Sequence, residues 1–516
     1  MRGGNDERSR DAMHGHSSES IASPLSQAPD SAPFHPGADC LCVAQAHRAA
    51  LIVDADDYFT HARAAMLRAK RRIVLIGWDF DARIRLGRAE GDNAPEKVGD
   101  FIYWLVDQNP ALEVYLLRWD LGALKTLVRG STIFTVMKWM SHRRIHTKLD
   151  STHPPGASHH QKIVVIDESL AFCGGIDMTE ERWDTREHIH RDPRRRLVSG
   201  KPHKPWHDAS TAVDGPMALA LAQVSRDRWH DAGGRPMEPL DRTYDAWPEK
   251  LKPHFENVRM AVSRSSPPSH THGPIREIET LYLEQIASAR RTIYAESQYF
   301  ASRRIAEAIA KRLEEEDGPE IVLINPLSAQ GWLEPLAMDT ARARLHEALR
   351  LHDPHRRFRI YHPFTEGGDP IYVHAKILIV DDRVLRVGSS NLNNRSMRLD
   401  TECDVTIDTS LPGNFDKGST ITMLRDDLLA EHLGVGRDVV TAQIERSGSL
   451  IGAIEALRGH GKTLRPYERP ELSGIEEWLA DNEVLDPEGP EEMFEPFEKR
   501  GLFRRLRRHR RDKDRK

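Results

Sequence analysis

The runs His160-Gln161-Lys162 and His374-Ala375-Lys376 each place an imidazole two residues before an ammonium, and each leads to an aspartate, Asp167 or Asp381, five residues past the lysine. In an extended chain residues i and i+2 project to the same face, so each histidine presents together with its lysine. One such pair would read as solvated surface polarity. Two copies with the same His–Lys, Lys–Asp and Asp–Gly spacings point to one duplicated chemistry. Two lysines can neutralise a phosphodiester and the further charge that develops in its transition state. One histidine can attack phosphorus and form a phospho-histidine. The other can protonate the leaving oxygen and then deprotonate the water or alcohol that resolves the intermediate. The residues alone leave open which histidine does which. The scheme requires no cofactor and no metal, and no clustered carboxylate set marks a two-metal site.

A nucleophilic imidazole needs one nitrogen free and the other held, and a carboxylate accepting its N–H does that. Asp208 and Glu402, each at the start of the strand after its motif, are the candidates. Asp167 and Asp381 fall on the opposite face at the far end of the motif strand and read as structural. The turns Gly174-Gly175 and Gly388-Ser389 let backbone come close to a phosphate. Ser389, Ser390, Asn391 and Asp177 are the candidate phosphate contacts there.

The elements that must position these groups repeat as well. An amphipathic helix over 56–72 runs into Ile73-Val74-Leu75-Ile76, and a second helix beginning at Pro274 runs into Ile293-Tyr294-Ala295-Glu296. Strand pairs follow at 112–117 and 320–324, and at 145–149 and 358–361. Each half closes on a helix, over 216–230 and 423–432. Alternating helices and apolar strands predict an α/β fold of two similar lobes related by pseudo-twofold symmetry, with the active site at the lobe interface. The expected organisation is a disordered leader over 1–45, an N-terminal lobe over 46–255 and a C-terminal lobe over 256–440. An extension over 441–516 follows, acidic and then basic. The breaker-rich stretches 233–253 and 263–274, with a short strand at 258–262 between them, read as the join.

The 516 residues exceed one ordinary core, and a net charge of −5 excludes a general polyanion binder. The four cysteines, Cys40, Cys42, Cys173 and Cys403, read as small buried hydrophobes in a reducing compartment. The N-terminus has no apolar segment of a secretory signal, and no run of about 18 apolar residues occurs. A cytoplasmic monomer, peripheral on the inner membrane face if its substrate is a lipid, is the expectation. Residues 499–516 carry eleven Lys or Arg interspersed with Leu502, Phe503 and Leu506. They read either as a solvated tail or as a segment for anionic lipid. The pairs His14/His16, His153/His159 and His188/His190 read as ordinary loop histidines. Trp183, Trp206, Trp332 and Tyr299 are core aromatics or walls of a headgroup pocket.

With these residues in hand, the sequence resembles the phospholipase D superfamily. It is most similar to the phospholipid-cleaving enzymes of plants and eukaryotes and their bacterial relatives. The resemblance rests on both motifs and on Arg182-Trp183-Asp184-Thr185, Trp206-His207-Asp208, Glu296-Ser297-Gln298-Tyr299-Phe300 and Glu431-His432-Leu433-Gly434. It spans roughly residues 48–436. It implies that His160 is the nucleophile and His374 the acid and then the base. Lys162, Lys376 and Asn391 would hold phosphate, with Asp208 and Glu402 behind the histidines. It implies a phospholipid substrate, hydrolysed or transphosphatidylated to phosphatidic acid and a headgroup alcohol. A cardiolipin-synthase-like phosphatidyltransferase is the alternative, followed by a nuclease, against which the Arg-Trp-Asp-Thr segment speaks. Two departures stand out: Ser297 where the family usually has asparagine, and Asp177 where the second half has Asn391.

Overall fold

Ile163-Val164-Val165-Ile166 and Ile377-Leu378-Ile379-Val380 are apolar on both faces, which requires a sheet covered on both sides. The computed structural model describes residues 34–87, 92–119, 138–139, 141–154, 156–330 and 338–468. The first half comprises β1 (Cys42–Val53), α1 (Ala55–Arg68), β2 (Arg72–Gly77), α2 (Val98–Gln108), β3 (Glu113–Trp119), β4 (Ile145–Asp150), β5 (Ile163–Ile166), β6 (Leu170–Gly174), β7 (Trp206–His207), β8 (Ala209–Asp214) and α3 (Pro216–Asp231). Apart from β10, α6 and the place of the two-residue β14, the second half follows the same order among the described residues. It comprises β9 (Phe255–Ser266), β10 (Ile275–Arg276), α4 (Glu277–Ser288), β11 (Thr292–Glu296), α5 (Arg303–Leu313), β12 (Glu320–Ile324), α6 (Thr340–Leu351), β13 (Phe358–Phe364), β14 (Tyr372–Val373), β15 (Ile377–Val380), β16 (Val384–Gly388), β17 (Glu402–Asp408) and α7 (Gly418–Leu433). Then come α8 (Arg437–Ser447), α9 (Leu450–Leu457) and β18 (Thr463–Pro466).

The two lobes do not keep separate sheets. Sixteen of the described strands join into one, in the order β18-β13-β12-β11-β15-β16-β17-β9-β1-β8-β6-β5-β2-β3-β4, with β10 on β9. The order reads the same from both ends about the antiparallel β1–β9 pair, apart from the added β18. A pseudo-twofold axis therefore passes between β1 and β9. Alternate residues divide between the faces. Ile163 and Val165 join the core that runs across both halves with α3 and α7. Val164 and Ile166 join the first-half core with α1 and α2. Each such fully buried aliphatic side chain contributes roughly 1.5–3 kcal/mol, and Val165→Asp would break both sheet and core.

Three sequence boundaries need correction. The leader boundary at 45 falls inside β1, and Phe34 and Cys40 already pack with Ala261, Leu281 and Leu411. Polar residues concealed this edge. The join is not a linker, because β9 is a twelve-residue central strand between β1 and β17. Its serines and arginine looked like loop residues. Ser263 donates to the Asp39 carbonyl and Arg264 to Glu277, whereas the buried Ser265 hydroxyl finds no partner among the described residues. The second lobe does not stop at 440, since β18 pairs with β13 and α9 packs below it on the shared core. The charged tail beyond 468 lies outside the described residues, as does the sequence before 34.

Candidate active site

His160 and Lys162 lie in extended chain just before β5, and His374 and Lys376 just before β15. Asp167 and Asp381 sit one residue past those strands, at φ 50° and 54°, a conformation Asp tolerates better than most side chains. Asp167 accepts the backbone N–H groups of Lys70, Arg71 and Arg72, at 2.6, 2.7 and 2.7 Å. Asp381 accepts those of Arg290, Arg291 and Thr292, at 3.0, 2.8 and 2.9 Å. Each aspartate thus ties the turn between a helix and the neighbouring strand to the end of a motif strand. Neither reaches the histidines.

The halves exchange partners at the site. The His160 backbone N–H donates to the Thr401 carbonyl at 3.0 Å, and that of His374 donates to the His207 carbonyl at 2.7 Å. Each of those carbonyls belongs to the residue just before the other half's acid. His160 Nδ1 consequently lies 2.9 Å from Glu402 Oε2, and His374 Nδ1 lies 2.7 Å from Asp208 Oδ2. Each motif histidine is therefore held by the opposite half, which a reading of the two motifs one after the other could not reveal.

Glu402 is fully buried. Burial pushes its carboxyl well above the usual range, against the pull of Lys162 and of the serine hydroxyls. Ser389 Oγ accepts the Cys403 N–H and Ser396 Oγ accepts the Asn391 N–H, so both hydroxyl protons point to Glu402, at 2.5 and 2.7 Å. With Glu402 ionised and accepting two hydroxyls, the proton between it and His160 sits on Nδ1. Nε2 is then the nitrogen left with a lone pair. By its sequence position Ser389 is expected among the phosphate contacts. The structure places it behind Glu402 instead, since its hydroxyl is consumed there.

Asp177 also departs from the sequence reading. Its Oδ1 accepts the Trp78 N–H at 2.9 Å, and its Oδ2 lies 3.3 Å from Lys162 Nζ. A buried anion would repel phosphate, and here it holds the lysine. Asn391 accepts weakly from Ser297 Oγ at 3.5 Å. Its side-chain amide nitrogen has no hydrogen-bond partner among the described residues. Lys162 donates to the His160 carbonyl at 2.9 Å. Lys376 donates to the His374 carbonyl and reaches the Gln298 side-chain oxygen at 3.5 Å.

The four central groups share one field. Burial, and then Lys162 and Lys376, hold the His160 imidazolium well below its usual range. Burial, Lys376, Arg182 and Lys162 do the same to His374. Burial brings the Lys376 ammonium down to about 7, with Asp208 opposing. These shifts favour the neutral form of both imidazoles, the form in which one of them can attack phosphorus. An incoming phosphate would offset the lysines and let one imidazole take up a proton. Trp206 is a wall of this region. It lies 5.1 Å from the His374 ring, 4.7 Å from Tyr372, and under the Arg182 guanidinium. Trp183 donates to Asp56 and Tyr299 meets Gln298, while Trp332 lies outside the described residues.

Sequence reasoning missed a buried polar network beside the pair formed by His374 and Asp208. His207 bridges Glu296 and Glu431, His432 reaches Glu296, and His188 bridges Asp184 and Glu431. His188 is 1% exposed and is not an ordinary loop histidine. The available signal was ionisable residues set in apolar runs. Glu296 ends a buried strand, and Glu431-His432 follows the buried apolar run Leu428-Leu429-Ala430.

Residues 65–252 match the family model described as Phospholipase D, and residues 282–414 match that described as Cardiolipin synthase, PLD-like domain. Phospholipase D A of Dictyostelium discoideum is 25% identical over 462 residues, covering 75% of this chain and 35% of that protein. Phospholipase D1 of Saccharomyces cerevisiae is 25% identical over 500 residues, covering 75% and 29%. Phospholipase D alpha 1 of Arabidopsis thaliana is 23% identical over 471 residues, covering 64% and 58%. The chain thus spans between about a third and three fifths of these relatives. Among solved structures, phosphatidylserine synthase of Haemophilus influenzae aligns with a TM-score of 0.49 at 16% identity, over 73% of this chain and 86% of that one.

Proposed function

We propose, because this chain belongs to the phospholipase D superfamily, that its composite site cleaves the distal phosphodiester of a glycerophospholipid to phosphatidic acid and a headgroup alcohol. The observation that carries this reading is the exchanged pair of imidazole–carboxylate contacts, His160 with Glu402 and His374 with Asp208, beside two lysines. His160 Nε2 attacks phosphorus, and the bond from phosphorus to the headgroup oxygen breaks. That oxygen takes the proton from His374 Nε2. Water then enters, gives its proton to His374, and displaces the His160 nitrogen. Lys162, Lys376 and the Asn391 amide hold the non-bridging oxygens through both steps. Support for His160 as nucleophile comes from its side chain, 15% exposed against 6% for His374.

Both pairs of partners come from one chain, which fits action as a monomer. No described helix is long and apolar enough to cross a membrane, so the lipid would be met at the bilayer surface. The match of 282–414 to the model described as Cardiolipin synthase, PLD-like domain, supports an alcohol as a second acceptor.

The test is incubation with mixed phospholipid vesicles, with and without ethanol, followed by mass analysis. Phosphatidic acid alone supports hydrolysis, and phosphatidylethanol in addition supports a phosphatidyl-enzyme. Absence of both across a headgroup panel, with cleavage of single-stranded DNA instead, would replace the lipid reading by a nuclease.

A further inference from the structure

Asp54, His188, His207 and Glu431 converge on one buried point next to the active site, and nothing in the mechanism uses them as a set. Their ligand atoms all lie within 4.8 Å of one another. His188 Nε2 is 3.4 Å from Asp54 Oδ2 and 3.1 Å from Glu431 Oε1. His207 Nδ1 is 3.3 Å from Asp54 Oδ1 and 2.8 Å from Glu431 Oε1. Four donors at roughly 2.0–2.2 Å from a zinc ion stand about 3.3 Å apart along the edges of a tetrahedron. The four separations just given, two of them to different oxygens of Asp54, lie between 2.8 and 3.4 Å, close to that spacing.

A second observation points inward. Asp54 is 1% exposed, and its Oδ2 accepts no hydrogen bond from the described residues. A buried carboxylate oxygen without a donor costs free energy unless a cation meets it. The outer contacts are those a bound ion needs. The far nitrogen of each imidazole is held by a carboxylate, His188 Nδ1 by Asp184 at 3.0 Å and His207 Nε2 by Glu296 at 2.7 Å. The second Glu431 oxygen accepts from Arg186 Nε at 2.6 Å. Such contacts fix the tautomer and orientation of metal-bound histidines.

We infer that Asp54, His188, His207 and Glu431 form a buried binding site for a divalent cation of the zinc type. Asp54, His188 and His207 come from the first half and Glu431 from α7 of the second, so the ion fastens the halves together. The site also reaches the chemistry at one remove. Asp54 Oδ1 accepts the Asp208 N–H at 2.9 Å, and the His207 carbonyl accepts the His374 N–H. Its occupant therefore positions the pair formed by His374 and Asp208 without touching substrate. Two oxygens and two nitrogens favour zinc over calcium or magnesium, which prefer all-oxygen shells. The competing arrangement places a proton on all four imidazole nitrogens of His188 and His207, with no ion.

The test measures metal in the full chain, expressed without an affinity tag in zinc-supplemented medium and washed with chelator. Elemental analysis should find about one zinc per chain. Protein grown in cobalt should show the visible absorption of a four-coordinate ion. His188→Gln and Glu431→Gln should lose the metal, whereas the exposed His355→Gln should retain it. Wild-type soluble protein holding less than about a tenth of an equivalent, and showing no shift in melting temperature when zinc is added, would overturn the site in favour of the two protonated imidazoles. Both readouts on the wild type are independent of whether any variant folds and of whether the chain cleaves a phosphodiester.

Discussion

Lys162 and Lys376 occupy equivalent places in the two halves, yet their neighbours differ. Lys162 has the Asp177 carboxylate 3.3 Å away, whereas Lys376 meets the Gln298 amide oxygen, and the counterpart of Asp177 is Asn391. The acids differ too, Glu402 behind His160 and Asp208 behind His374. Two serine hydroxyls brace Glu402, while Asp208 is tied through its backbone to Asp54. Duplication preserved everything that sets geometry: strand order, exchanged backbone contacts and the turns held by the motif aspartates. It relaxed what sets charge. The scaffold of the site is symmetric and its electrostatics are not, which is what two histidines with different tasks require.

Removing each histidine in turn tests that asymmetry most severely. Both His160→Ala and His374→Ala should lower lipid turnover by about ten-thousand-fold or more. They should differ with a p-nitrophenyl phosphodiester, whose leaving group needs no proton. His374→Ala should still release a burst of nitrophenol and trap a phospho-enzyme, and His160→Ala should do neither. Equal behaviour of the two on that substrate would mean the halves do not divide the work. The exchanged pairing gives the next step down. Glu402→Gln and Asp208→Asn should each cost about a hundred- to a thousand-fold. Glu402→Gln should show the defect of His160 and Asp208→Asn that of His374, although each acid belongs to the other half. The reverse assignment would show that the histidines are oriented within their own halves.

The lysines predict an asymmetry in pH. With Lys376 brought down to about 7, its ammonium is present below that pH and lost above it. The value of kcat/KM, which reports the free enzyme, should therefore fall as pH rises through about 7. On the acid side, His160 stays neutral to well below the ordinary histidine range, so activity should persist there. Asn391→Asp would give Lys376 the carboxylate that Lys162 already has. It should move the alkaline limb upward by about one pH unit while weakening phosphate binding. A limb that does not move would separate Lys376 from the alkaline loss.

Much of this was legible in the sequence because period and spacing report geometry. The paired motifs, the α/β class and the placing of Asp208 and Glu402 at strand starts all follow from residue order. What was not legible depends on contacts across the axis. Thr401 and His207 carry no signal as acceptors of His160 and His374 until the halves are joined. Ser389 and Asp177 look like polar turn residues facing substrate. Only their bonds to Glu402 and Lys162 turn them inward. Ser263 and Arg264 of β9 read as a loop because a strand between two lobes can bury polar side chains once the fold supplies their partners, here Asp39 and Glu277.

The smallest expected effect on chemistry belongs to the residues that name the motif's end. Asp167 and Asp381 each accept three backbone N–H groups and lie far from the reacting nitrogens. Alanine there strands those donors and places a side chain without a local acceptor at positive φ. A loss of about 2–4 kcal/mol of stability follows for each. Because the sheet is continuous across the axis, the losses should be alike in the two halves and should lower one shared unfolding transition. Activity per folded molecule should change by less than about threefold. Calorimetry beside active-site titration reads both quantities. If Asp381→Ala destroyed activity in folded protein while Asp167→Ala did not, these symmetric supports would be part of the unequal chemistry after all.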